Sequence, residues 1–532
     1  MDNTLIVDFR QQNECNFVLS NVSSELKEKV FSECKVCLQA ADHQNRIDAV
    51  VCLLILSRDP DYQKRLAEEG VLSLLVREAA IQEDRPSPAL PVDASTVGAL
   101  KCLSNVIFKN PDVIKYLRKR GCLEALVSRC EAQMEDDSTN LEVMLFDLKV
   151  LFLCSALDSL ARLDLLITYF VCDVFVNLLR WTVDADFSAR PQMPDVLVEL
   201  LKLLFNMSYA KKEQEYDQDR YESTYQALTL VIRSLLVKSV EPHQQKMEIV
   251  NHSVNFLTML PTGCYAGLLF QQDEEASSQP LEAHRDAQVT QALSVLLDFL
   301  TYQLDQDDKD PGRSGQLLTP ILTLIATASR ANRTIRKYFR IKILPHLGAD
   351  VKRLPESGST LRNRLCSRLT AKGKLDDGTV EAVAFLIFVL CREKIDRAVK
   401  YSGFGNFVGF LSRHGLMAGG GRRGVGSSPQ GDYSSTSSDS ETEAYKELKD
   451  QVNPVTGRVE PPRCNPMEGM SDEQKEYEVM QLVNKIDQLQ RSGVIQPGVV
   501  GDDGRVRPAE HVLELVQNVP DDDHGDASDD SN

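Results

Sequence analysis

The run LKCLSN at 100–105 returns as LKLLFN at 201–206, each with a lysine and an asparagine held four residues apart in an otherwise apolar helix. Three looser copies join them: LLILSR (53–58), LKVLFL (148–153) and VNHSVN (250–255). Their last residues fall at 58, 105, 153, 206 and 255, so the spacings are 47, 48, 53 and 49. One such helix cannot bury its apolar side alone. Units that return at a nearly constant interval must stack on one another, and this excludes most compact folds.

The interval is close to that of armadillo and HEAT repeats, whose units run about 40–47 residues. From about residue 20 to about 416 nearly every segment is helical in period. Breaks fall at RDPD (58–61), EDRPSPALP (83–91), ARPQMP (189–194), QQDEEASSQP (271–280) and DQDDKDPGRSG (305–315). No convincing run alternates as a strand does, and a sixth unit is expected around ILTLIATASR (321–330). The expected fold is all-α: an armadillo/HEAT-type α-solenoid over residues 1–416, favoured over a compact bundle. A C-terminal region, flexible by composition, carries one amphipathic helix.

Around the helix at 100° per residue, Leu103 and Ile107 lie within about 60° of Leu100, while Lys101, Asn105 and Phe108 lie between about 80° and 140°. The first set is a packing stripe and the second an adjacent face. The later unit repeats this with Leu201 and Leu204 as core and Lys202, Asn206 and Tyr209 beside it. Stacked units align these second faces into a ladder of Arg58, Lys101, Asn105, Lys149, Lys202, Asn206, Asn251 and Asn255. An amide both donates to and accepts from a peptide backbone, and lysines offer positive charge. The ladder therefore reads as the lining of a concave peptide-binding groove. Taken singly, each Asn reads equally well as satisfying a neighbouring loop carbonyl and each Lys as reaching to water. Recurrence in phase favours the groove.

The net charge of −18 argues against general nucleic-acid binding, which needs a basic footprint. The longest apolar run, AVAFLIFVLC (382–391), is half the length of a membrane span. The start, MDNTLIVDFRQQNEC, lacks a basic stretch followed by an apolar core, so no secretory signal is expected. Thirteen cysteines, among them Cys52, Cys102, Cys154 and Cys391 in apolar helical patterns, suit reduced thiols in a cytosolic protein. Cys34 and Cys37 lack the second pair that a zinc framework needs, so no metal and no cofactor are expected. The eight histidines are scattered, with His252 and His346 read as structural. Without HExxH, GxSxG or DFG-type sets, no catalytic residues are assigned. The chain reads as a binding protein.

Residues 330–374 hold thirteen Lys and Arg against Asp350 and Glu356, a basic island that includes Arg333, Arg336, Lys337 and Arg340. It is either a solvated helix face or a seat for phosphate or acidic segments. Residues 417–470 read as a flexible linker. Within it GDYSSTSSDSETEAY (431–445) places an acid three residues after Thr436, Ser438 and Ser440, the spacing used by acidophilic kinases such as casein kinase II. Once phosphorylated, this segment is expected to fold back on the basic island; an unmodified, solvated linker is the equally weighted alternative. A proline-rich tether follows, and then a capping box of Ser471 and Gln474 opens a helix over 471–492. Val479, Met480, Val483, Ile486 and Leu489 share one side of it, which calls for a partner face. The acidic tail, 493–532, reads as disordered.

Several segments resemble the synembryn family, also called resistance to inhibitors of cholinesterase. They include LKCLSNVIF (100–108), FDLKVLFLCSAL (146–157), LKLLFN (201–206), RKYFRIKILPHL (336–347), LRNRLCSRLT (361–370), FLIFVLC (385–391), VKYSGFGNFVGFL (399–411), GLMAGG (415–420), NPVTGRV (453–459) and NPMEGMSDEQKEYEVMQLVN (465–484). They occur in the family's order and span almost the whole chain. The resemblance implies a chaperone and non-receptor guanine-nucleotide exchange factor for heterotrimeric G-protein α subunits in the GDP-bound, nucleotide-free or nascent state. It implies that the groove holds the α subunit's C-terminal helix, with Arg58 and Asn105 at groove positions and the lysines suited to a C-terminal carboxylate. The helix at 472–490 matches the one that contacts the α subunit. Ser435 and Ser440 match the two phosphorylated positions, although Ser435 lacks the acid three residues on. A cytoplasmic location is implied, with recruitment to the cell cortex or plasma membrane through the α subunit. The competing expectation is a generic armadillo scaffold without exchange activity, which would bind an extended internal peptide instead of a helix with a free carboxylate.

Overall fold

The structure is a computed structural model that describes residues 3–40, 45–81, 93–135, 140–169, 174–213, 218–269, 290–310, 315–370, 377–417, 442–460, 469–496, 498–500 and 505–509. Ser435, Thr436, Ser438 and Ser440 lie outside the described residues, as does the tail from residue 510. The chain divides into two compact units, Met1–Leu300 and Thr301–Asn532.

The first unit is built of α1 (Asn3–Asn13), α2 (Ser24–Gln39), α3 (Arg46–Leu56), α4 (Pro60–Leu66), α5 (Glu69–Glu78), α6 (Ala94–Lys109), α7 (Val113–Lys119), α8 (Cys122–Glu135), α9 (Leu141–Leu157), α10 (Ser159–Tyr169), α11 (Val174–Asp184), α12 (Met193–Glu213), α13 (Gln218–Val237) and α14 (His243–Leu257). Helices α3, α6, α9, α12 and α14 pack each on the next. A second row, α2, α5, α8, α11 and α13, packs on them pairwise, and the short α4 and α10 lie against α6 and α12. This all-α stacking is the solenoid that the interval of about 48 requires. The repeated segments sit in the first row, and their apolar stripes are the core: Leu100, Leu103, Ile107, Leu201 and Leu204 are wholly buried.

Local sequence sets the helix ends. The Asp93 carboxylate accepts from the Ser95 and Thr96 amides, and the Thr96 hydroxyl accepts from the Asp93 amide. Asn140 caps α9 through the Val143 amide, and Pro60 opens α4 after Asp59. Each cap satisfies amides that the first turn leaves unpaired. Gly98 lets α6 approach α3, since a Cβ there would stand 2.9 Å from Val50 Cγ1. Helix C-termini are closed by cations from elsewhere in the stack. Arg129 Nη1 on α8 donates to the carbonyls of Ala79 (2.8 Å) and Ala80 (3.0 Å) beyond α5, while its Nε donates to buried Asp147 on α9 (2.8 Å). Lys246 donates to the carbonyls of Leu235, Leu236 and Lys238 at the end of α13.

The boundary falls within α15 (Gln291–Lys309), and the second unit continues with α16 (Gly315–Ala331), α17 (Arg333–Ile343), α18 (Leu361–Thr370), α19 (Asp377–Leu390), α20 (Ile395–Ser402) and α21 (Phe404–Arg413). Helices α16 and α19 form the central pair, with ILTLIATASR inside α16. Phe388, Phe407 and Phe410 close the core around α21 with ring centroids 5.0–6.4 Å apart.

The segment 442–460, read from sequence as linker and tether, is built into this unit. A short helix, α22 (Glu443–Lys446), precedes β1 (Val452–Asn453) and β2 (Arg458–Val459), which pair antiparallel. Their turn docks on α20 and α21: the Phe404 and Gly405 amides donate to the carbonyls of Pro454 and Val455, both at 2.9 Å. Gly403 (φ +79°) and Gly457 (φ +70°) meet back to back, and a Cβ on Gly457 would stand 2.7 Å from Pro355 Cγ and 3.1 Å from Gly403 Cα. This close approach accounts for the glycines in SGFGNF and NPVTGRV. A second hairpin, β3 (Gly498–Val500) with β4 (Val506–Pro508), follows α23 (Asp472–Arg491). These short strands were not foreseen, because two or three residues are too few to show an alternation.

Candidate protein-binding face

Lys101, Asn105, Lys149, Lys202, Asn206, Asn251 and Asn255 are all partly exposed, and Phe108 and Tyr209 stand out beside them. The asparagines also hold the stack. Asn105 Nδ2 donates to Ser57 Oγ (2.8 Å), whose own proton goes to the Leu54 carbonyl (2.6 Å). Asn206 Nδ2 donates to Ser155 Oγ (3.0 Å), and Ser155 donates to the Phe152 carbonyl (2.8 Å). One relay thus occurs twice between neighbouring units. Asn206 Nδ2 also reaches the Phe152 carbonyl (3.4 Å), and each Oδ1 is left without a donor among the described residues. Asn251 and Asn255 have no side-chain partner among the described residues.

The lysines lie over aromatic rings. Lys101 and Lys149 flank Phe146 of α9, with Nζ 5.0 and 5.5 Å from the ring centroid, and Lys202 lies 4.6 Å from that of Phe152. Lys101 pairs with Glu142 (2.9 Å) and Lys202 with Glu199 (2.8 Å). Ring faces and single carboxylates steady the ammonium groups at a half-exposed surface. Burial, with the Lys202 charge added, pushes His252 on α14 down to about 4, so it is neutral at pH 7. Arg58 sits past the end of α3, where its Nη1 donates to the carbonyls of Glu14 and Asn16. Ser57, Ser155, Phe146, Phe152 and His252 were missed as part of this face. Phe146 and Phe152 stand three residues either side of Lys149, a spacing that was available to read.

The basic island divides in two. Arg333 and Lys337 are exposed. Arg336 is buried and donates to the Ser329 carbonyl (2.9 Å), and Arg340 lies over the Tyr401 ring (4.6 Å). Arg362 donates to the Tyr401 carbonyl (2.8 Å) and pairs with Asp350, and Arg364 meets Asp305 and Asp308. Much of the local charge is therefore internal wiring of the second unit and not open surface. Helix α23 has the capping box expected of Ser471 and Gln474. None of its residues is buried: Val479, Met480 and Leu489 are exposed, as are Tyr477 and Leu482, while Val483 and Ile486 are partly covered.

Among the described residues, no cluster of three or more His, Cys, Asp or Glu could hold a metal, and no helix is long and apolar enough to cross a membrane. Cys34, Cys37, Cys52, Cys102, Cys154 and Cys391 are buried free thiols. The stacked helices define an all-α helical-repeat protein.

The chain matches the family described as guanine nucleotide exchange factor synembryn over residues 49–505, and it belongs to that family. It is 33% identical to the chaperone Ric-8A of Xenopus laevis, covering 96% of this chain and 94% of that one. It is 34% identical to the chaperone Ric-8A of Danio rerio, with 86% and 82% covered. It is also 34% identical to the chaperone Ric-8 of Drosophila melanogaster, with 82% and 78% covered. A solved chain from work on a phosphorylation switch between cadherin and beta-catenin aligns over 78% of this chain and 83% of its own, at 14% identity. The TM-score of that alignment is 0.30.

Proposed function

We propose that this protein is a chaperone and non-receptor guanine-nucleotide exchange factor for heterotrimeric G-protein α subunits, and that the first-row face receives their C-terminal helix. The observation that carries this is the in-phase face of Arg58, Lys101, Asn105, Lys149, Lys202 and Asn206 in a chain of the synembryn family. A helix C-terminus presents four unpaired carbonyls, the negative end of its dipole and, at a chain end, a carboxylate. Amide and ammonium donors are what such an end requires.

The mechanism follows from linkage. A partner that binds the nucleotide-free α subunit better than the GDP-bound one lowers GDP affinity by the same factor. Drawing the C-terminal helix away from the nucleotide domain loosens the pocket; GDP leaves, and GTP then displaces the exchange factor. The same hold on a nascent α subunit stabilises it by mass action. Helix α23 supplies a second contact through Val479, Met480 and Leu489. Location is cytoplasmic, with recruitment to the cortex through the α subunit.

Phosphorylation by an acidophilic kinase such as casein kinase II, at Ser435, Thr436, Ser438 or Ser440, seats the linker on exposed cations of the basic island such as Arg333 and Lys337. Its support is the anchoring of Thr442, whose hydroxyl donates to the Leu347 carbonyl, next to α17. Hydrogen exchange across 330–374 tests it, and equal protection with and without phosphate counts against it.

The deciding experiment for the main reading is GDP release from a purified α subunit, with and without this protein, alongside the same α subunit lacking its last residues. Accelerated release that vanishes on truncation is expected. No acceleration with any α-subunit class would leave a chaperone or scaffold without exchange activity.

A further inference from the structure

Arg58 is held from the N-terminal side by a loop that is itself braced. Its Nη1 donates to the carbonyls of Glu14 (3.1 Å) and Asn16 (2.6 Å). Buried Asn13 donates to the Phe9 carbonyl (3.0 Å), and Asn16 Nδ2 donates to the Gln12 carbonyl (3.1 Å) and to Asn13 Oδ1 (3.3 Å). The Nε and Nη2 protons of Arg58 keep no partner among the described residues. Beside them stands Phe17, its ring centroid 5.3 Å from the guanidinium carbon. Phe17 is 83% exposed and Val18 is 73% exposed. Side chains this apolar and this open, on a loop whose turn is fixed by five hydrogen bonds, form a surface that lacks its contact. Ser57, the neighbour of Arg58, takes the Asn105 amide proton, so this corner is continuous with the lysine and asparagine face.

We propose that Phe17, with Val18 beside it, is the end wall that receives the last side chain of the bound partner, so that the face selects chains ending in an apolar residue. At a chain end the carboxylate and the final side chain leave the same Cα. A guanidinium with a free donor edge, next to an exposed ring, matches that pair of groups. The inference rests on the reading that Arg58 holds a carboxylate, and the test separates the two.

Binding is measured with N-terminally fluorescein-labelled peptides carrying the C-terminal segment of a G-protein α subunit, ending in leucine, in alanine or in leucine amide. On the unaltered protein the leucine acid binds about tenfold more tightly than the alanine acid, the gain expected for burying one apolar side chain. Phe17→Ala brings the two within about twofold of each other, and Phe17→Leu keeps most of the gap. An undiminished gap in Phe17→Ala, or equal binding of the two acids by the unaltered protein, overturns the end wall and leaves the groove standing. Leucine amide that binds as tightly as the acid overturns the carboxylate reading itself. The exposure of Phe17 makes the variant safe to fold, which a matching thermal melt checks.

Discussion

Asn105 and Asn206 tie one unit to the next through a serine, and the proposed groove gives each a second role through its unpaired Oδ1. The two roles separate by mutation. Ser57→Ala removes the inter-unit hydrogen bond and costs about 1 kcal/mol in urea unfolding, with peptide affinity kept. Asn105→Ala costs a similar amount and also loses affinity; equal loss of affinity in both variants would mean that the amide acts only through the stack. His252 gives a pH signature. Its folded pKa, about 4, lies below the ordinary 6.5, so the unfolded chain takes up the proton first as pH falls. Its contribution to stability is whole above about 6.5 and is lost towards 4. Melts from pH 7 to 4 should show that slope, and His252→Gln should flatten it. The sequence displayed the Lys and Asn pattern because periodicity exposes whatever recurs. It hid Ser57 and Ser155 because a partner some fifty residues away is fixed only when the units stack.

Helices were readable because caps and apolar stripes are local. Ser471 and Gln474 form a signature legible in the sequence alone, and Ser471→Ala should cost α23 about 1 kcal/mol, seen as faster amide exchange over its first turn. Val479→Asp with Met480→Asp should leave the melting temperature unchanged, since both side chains are exposed, while slowing α-subunit GDP release. The hairpin of NPVTGRV was not readable as a docked element. Its reason lies in Gly403 and Pro355, about fifty and a hundred residues upstream, and proline with glycine reads locally as tether. Gly457→Ala should destabilise by roughly 1–3 kcal/mol, because the added Cβ meets Pro355 and the residue keeps a positive φ. The basic island misled for a related reason. Charge density along a chain does not tell which arginines turn inward to carbonyls and aspartates, as Arg336, Arg362 and Arg364 do.

At the scale of the whole molecule, a stack of this kind is as strong as its joints. Arg129 joins the C-terminal end of α5 to the middle of α9, and burial pushes the Asp147 carboxyl it faces up to about 6. Arg129→Ala strands that carboxyl and should cost roughly 3–5 kcal/mol in urea unfolding, whereas Arg129→Met with Asp147→Leu should recover most of the loss. The docked hairpin has another consequence. Because the chain is moored on Gly403 and Gly405 until residue 460, only residues 461–471 separate that mooring from α23. Eleven residues reach no farther than about 40 Å. A leash paid out from residue 417 would let the helix roam several times farther. The mooring therefore raises the local concentration of α23 around the second unit, so that any chain already held by that unit would meet the helix as a nearby, nearly intramolecular ligand.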